Sequence, residues 1–130
     1  MSRQTIAIAT ILAMSGILAS AKKKAPPTPT QADVIRGCIA VRDIVFQRGA
    51  FLRAPLISGY IENTCGRSAL VGVDVLFFDN RGLQVAEAFP SELVSVGGLA
   101  FKIAALDVSG QPVYFVSSGV VSEVYARLPQ

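Results

Sequence analysis

The chain has 130 residues, with twelve Lys and Arg against nine Asp and Glu, no His, and a formal charge of +3. Four of those cations, Arg3 and Lys22 to Lys24, stand in the first 24 residues, leaving eight basic against nine acidic residues in the remainder. A near-neutral domain lacks the basic field of a nucleic-acid groove, and a chain without His excludes a Ser-His-acid triad.

The N-terminus reads as an export signal. Arg3 precedes an apolar run from Ile6 to Leu18, and the small residues Ala19, Ser20 and Ala21 follow. As a helix, that run of about 13 residues covers roughly 20 Å, short of the ~20 residues that cross a bilayer. Residues 1–21 are therefore expected to be a secretory signal peptide cleaved after Ala21, with no stable membrane span afterwards. A retained anchor flanked by the three lysines is the alternative. Residues 22–31 read as a Lys/Pro-rich linker, because Pro26, Pro27 and Pro29 favour an extended chain. Its lysines are either solvated or in contact with anionic lipid.

Residues 32–130 form the remaining domain, of a size for one core. Cys38 and Cys65 are the only cysteines. An even pair in an exported chain predicts one disulfide, whereas a metal site would want further thiols or histidines. A strand is predicted over 39–47, with an irregularity near Asp43 where the alternation slips, and a short edge strand around Phe51. In residues 56–63, Ile57, Gly59, Ile61 and Asn63 share one face, and Gly59 leaves room for a neighbouring side chain. The next run places Val71, Val73, Val75 and Phe77 on a core stripe, with Leu70, Asp74, Leu76 and Phe78 opposite.

Asp79, Asn80, Arg81 and Gly82 then make a turn, with Gly82 available for positive φ and Asp79 able to bind nearby backbone. A return strand over 83–89 ends at Pro90. Gly97 and Gly98 read as a turn before Leu99, Phe101, Ile103 and Ala105. The segment after Pro112 reads as one bent strand or two short ones broken near Gly119. About seven strands with short connections predict an all-β fold, an antiparallel β-sandwich, with an open barrel as the alternative.

The pattern Ile57-x-Gly59-x-Ile61-x-Asn63, the alternating run from Val71 to Phe77 and the sequence Phe78-Asp79-Asn80-Arg81-Gly82-Leu83 together resemble the bacterial FxLYD-type domain. Leu93 through Gly97 with Phe101 is similar to a later stretch of that family, so the resemblance covers residues 55–106. Phe78 stands where Tyr is usual, and Val96-Gly97 replaces a Pro-Gly step. The resemblance implies an extracytoplasmic, immunoglobulin-like sandwich of the accessory or interaction kind. It carries Asn63 across as a strand-end residue and Asp79 as a turn residue, and it carries no catalytic role.

No Gly-x-Ser-x-Gly motif and no phosphate loop occurs, so no catalytic, cofactor or metal residue is assigned. Asp43, Glu62, Asp74 and Asp79 could converge as paired carboxylates, but outward strand positions, opposite Arg42 or Arg67, explain Glu62 and Asp74 equally well. The expectation is a non-enzymatic periplasmic or secreted module that binds another envelope or secreted protein, in a setting such as a secretion, conjugation or pilus apparatus. Leu76 and Phe78, on the non-core side of their strand, are the candidate contact residues. An exposed edge at Phe51 or Tyr114-Phe115 is a second address for a partner. The rival readings are a cation site, a hydrolase built on Asp and Glu, and a small-ligand or glycan binder using Tyr60, Tyr114 or Tyr125.

Overall fold

The β-branched runs form eight strands in a computed structural model that describes residues 30–129. They are β1 (Val34–Arg36), β2 (Ile39–Gln47), β3 (Leu56–Asn63), β4 (Ala69–Phe78), β5 (Gln84–Ala88), β6 (Ser91–Val94), β7 (Gly97–Ala104) and β8 (Ser118–Arg127). The first sheet has the order β1-β2-β3-β7; in the second, β4 is flanked by β8 on one side and by β5 and β6 on the other. All pairings are antiparallel. The fold is an all-β sandwich, as the alternation predicts. The expected signal peptide and the linker up to Pro29 lie outside the described residues.

Alternation sets which residues meet between the sheets. Ile39, Val41, Ile44 and Phe46 from β2 and Ile57 and Ile61 from β3 face Val71, Val73, Val75 and Phe77 from β4 and Val121 and Val124 from β8. The slip near Asp43 is a bulge: Asp43 has φ 55°, and the register shifts between Arg42 and Val45. The extra residue returns Ile44 and Phe46 to the core face after Val41 has used it. Gly59 works as expected, since a Cβ there would lie 2.8 Å from Cζ of Phe101, which covers it from β7.

Several elements differ from the sequence reading. β1 and β6 are additional strands, each too short to show a period. Phe51 lies on a tight turn rather than an edge strand: Ala50 N–H donates to Arg53 O at 3.0 Å and Arg53 N–H to Ala50 O at 2.8 Å. Gly97 and Gly98, both at positive φ, open β7, where a Cβ on Gly98 would sit 2.2 Å from the Ile61 carbonyl oxygen. The C-terminal segment is one strand, β8, with a bulge opposite Asp74 and Val75. Gln31 belongs to the domain: it bridges to Ile44, and its side-chain amide both donates to Val121 O (2.8 Å) and accepts from Val121 N–H (2.9 Å).

Cys38 and Cys65 form the predicted disulfide, with Cα atoms 5.0 Å apart. The pairing of Ile39 with Asn63 brings the two ends together, and Thr64 N–H donates to Cys38 O at 3.0 Å.

Candidate interaction surfaces

Asn63 ends β3 on its inward face and is buried, so its amide must find partners there. Nδ2 donates to Val94 O at 2.9 Å and to Arg67 O at 3.0 Å, while Oδ1 accepts from Cys65 N–H at 2.8 Å. One side chain thus ties the disulfide loop to β6 in the opposite sheet.

Asp79 is also buried, at the far end of β4, and it organises the turn that follows. Its Oδ1 accepts from Arg81 N–H (2.8 Å) and Leu83 N–H (3.1 Å), and its Oδ2 accepts from the Arg81 guanidinium at 3.0 Å. Gly82 takes φ 83° to close the loop, and its N–H donates to Asp79 O at 3.1 Å. The Leu83 N–H, with help from Arg81 and against some desolvation, holds the Asp79 carboxyl below its ordinary range. Residues 107–111 repeat the device. Asp107 Oδ1 accepts from Ser109 N–H at 2.8 Å and Gln111 N–H at 3.0 Å, and Gly110 has φ 86°. The Ser109 hydroxyl and then the Gln111 N–H lower the Asp107 carboxyl in the same way. The shared spacing, Asp-x-x-Gly, is visible in the sequence but was read only once.

Leu76 and Phe78 lie half-buried on the outer face of the second sheet. Val120 and Glu87 flank Leu76; Ser118 and Gln84 flank Phe78. Farther along this face, Phe89 covers Gly72, where a Cβ would meet its ring at 2.9 Å. The same ring packs edge-on against Tyr125 with centroids 5.2 Å apart. Arg36 stands 5.9 Å from the Tyr125 centroid, and Leu93 is 60% exposed beside Leu70. The outer face therefore carries two apolar patches, Leu76 with Phe78 and Leu70 with Phe89, Leu93 and Tyr125, on either side of an acidic middle.

That middle is where the carboxylate expectation changes. Asp74 does not face Arg42 or Arg67; Arg42 instead approaches Glu62 at 3.7 Å across the first sheet. Asp74 pairs with Glu123 on β8 and lies diagonal to Glu87 on β5. Its Oδ2 accepts from Ser122 Oγ at 3.1 Å, while Oδ1 is buried without a donor. The neighbouring Asp74 carboxyl, through its polar interaction and its negative charge, pushes the Glu87 carboxyl above its ordinary range. Tyr125 donates its hydroxyl to Glu123, which raises the phenol's pKa, with desolvation adding to the effect.

Asp43 and Glu62 sit on the first sheet, and Asp74 and Asp79 on the second, so the four residues proposed for acid chemistry are not brought together. Among the described residues no group of three or more Asp, Glu, Cys or His is arranged to hold a metal ion. Tyr60, Tyr114 and Tyr125 lie on three separate surfaces. Tyr60 borders an open hollow of about 450 Å³ on the first sheet, with Arg42 5.7 Å from its ring centroid. A narrower cleft of about 270 Å³ opens between the sheets along β7, lined by Val71, Val73, Leu99, Phe101 and Ile103, with Glu92 and Lys102 as its charged members. The first hollow also holds Asp43, Ser58 and Lys102, the last two being cross-strand partners. Among the described residues no helix is long and apolar enough to cross a membrane. Comparison of the chain with family models, with curated proteins and with solved structures finds no match.

Proposed function

We propose that the protein is an exported, non-enzymatic interaction module of the FxLYD-like, immunoglobulin-like kind, binding another envelope or secreted protein through the outer face of its second sheet. The observation that carries this reading is the set of apolar residues Leu70, Leu76, Phe78, Phe89, Leu93 and Tyr125 on a face that no third layer covers among the described residues. Its half-buried members are held by β5 and β8, so a partner would meet a preformed surface and pay little to order it. The Cys38–Cys65 disulfide is compatible with an oxidising compartment, which agrees with the expected export signal and a periplasmic or secreted location.

Cross-linking in native envelopes, read by mass spectrometry, tests the proposal. Leu76→Ser with Phe78→Ser should abolish the captured partner, and so should Leu93→Ser, which alters an exposed residue and leaves the fold intact. If folded Leu93→Ser and folded double-variant protein both retain every captured partner, this face is not the contact.

A further inference from the structure

The end of the sandwich where β2 and β4 finish is built from three loops: 48–55, 79–83 and 105–117. They are joined to one another and to the strands, since Ala105 N–H donates to Pro55 O (2.9 Å) and Ser117 N–H to Phe78 O (2.8 Å). The longest loop is pinned by burial of Ala105, Val113 and Val116. What these loops leave outside is unusually apolar. Phe51 and Leu52 form the tip of the first, 90% and 78% exposed; Leu83 protrudes from the second, and Val108, Tyr114 and Phe115 from the third. Leu52 occupies the left-handed region at φ 64°, uncommon for a bulky residue, in a turn that directs two apolar side chains into solvent.

Cations predominate at this pole: Asp79 is paired with Arg81, and one exposed carboxylate, Asp107, remains on the longest loop, accepting from its own turn. Arg48 and Arg53 bracket the Phe51-Leu52 tip, both exposed and neither in an ion pair among the described residues. The N-terminal direction points the same way. β1 runs antiparallel to β2, with Val34 opposite Val41 and Gln31 opposite Ile44, so followed backward to Thr30 the chain heads toward the apolar pole. The sequence just before it contains Lys22, Lys23 and Lys24.

We propose that this pole docks on an anionic lipid bilayer, with Phe51, Leu52 and the 105–117 loop entering the headgroup layer and Arg48 and Arg53 meeting lipid phosphate. Single apolar side chains on separate loop tips suit insertion among lipid headgroups better than a flat protein interface does. Tyr114 and Phe115 are residues of the kind that settles at that boundary. Phe78 borders this pole, whereas the Leu70 end of β4, with Leu93 and Tyr125, stands clear of the bilayer and is free for a protein.

The chain has no Trp, which makes the test direct. Phe51→Trp and Val108→Trp report the pole, and Val96→Trp reports the opposite end, each in the full chain. They are mixed with phosphatidylcholine vesicles, with and without equal phosphatidylglycerol, and with acyl chains brominated or plain. Docking predicts a blue shift and bromine quenching at positions 51 and 108 on the anionic vesicles, and neither at position 96. Arg48→Gln with Arg53→Gln should weaken the partitioning read at position 51 by roughly thirtyfold, from about fivefold per cation near the surface. Co-flotation with vesicles without quenching at position 51 would mean attachment by the N-terminal segment alone and would overturn the proposal. Equal quenching at position 96 would overturn it too, as would a blue shift at 51 produced only by lipid-free envelope protein.

Discussion

Asn63→Leu should be among the most damaging conservative-sized changes in the domain. The substitution keeps the branched heavy-atom skeleton and removes three hydrogen bonds, to Val94 O, Arg67 O and Cys65 N–H. The bond to Val94 O is buried, and a carbonyl left dry costs about 1–3 kcal/mol. The other two sit where water can enter, so each loss is nearer the ordinary net value of about 0.5–1 kcal/mol. The total is about 3 kcal/mol, a large share of the roughly 5–15 kcal/mol that stabilises a domain of this size. Urea unfolding with the disulfide intact reads it. At m of about 1–1.5 kcal/mol/M, the midpoint should fall by roughly 2–3 M. Asn63→Asp sharpens the test, because the introduced carboxylate keeps the acceptor for Cys65 N–H but faces two carbonyl oxygens. Repulsion raises its folded pKa, so that variant should recover stability as pH falls and lose it as pH rises through that value. A midpoint change below about 0.5 M for Asn63→Leu would show that the amide only fills space.

Glu87→Gln should stabilise the protein at neutral pH, since the new amide gives Asp74 a permanent donor. The folded pKa of Glu87 is raised, so its favourable contribution is complete below the unfolded value and lost as pH rises through the folded one. The gain in Tm should therefore vanish in acid, and an equal gain at both pH values would reject the Asp74 carboxyl as the cause of the raised Glu87 pKa. Asp79→Asn and Asp107→Asn should show the opposite profile. Their carboxyls are lowered, so the stability they confer is present above the unfolded pKa and disappears as pH falls through the folded one. Melting curves that keep a constant gap from wild type between neutral and acid pH would refute the turn assignment. Replacing both Cys38 and Cys65 by Ser should cost roughly 3–4 kcal/mol in the chain-entropy model, read by urea unfolding. Reduction of the intact exported chain should add the mass of two protons, and no change would exclude the bridge.

Much of the fold is legible in residue order because burial on one face imposes a period of two. Val71, Val73, Val75 and Phe77 announce their strand, and Ile57, Ile61 and the gap at Gly59 announce another. The broken alternation at Asp43 marks its bulge. β1 and β6 escaped because runs of three and four residues carry no readable period, and what makes them strands is a neighbour's hydrogen-bond edge. The apolar character of Phe51 suggests a strand, while the reciprocal bonds of Ala50 and Arg53 that make it a turn tip leave no mark in residue order.

The chemistry of the surfaces divides along the same line. Residue types and spacing determine that this chain has two cysteines to pair, no histidine for a triad, an apolar N-terminal run and a stripe of outward Leu76 and Phe78, since each is a property of the chain itself. Strand partnership decides the rest. It places Asp74 beside Glu87 and Glu123 rather than beside an arginine, spreads Tyr60, Tyr114 and Tyr125 over three surfaces, and gathers the exposed residues of three distant loops at one pole. Those juxtapositions join positions many residues apart, and only the packing of two sheets brings such positions within reach of one another.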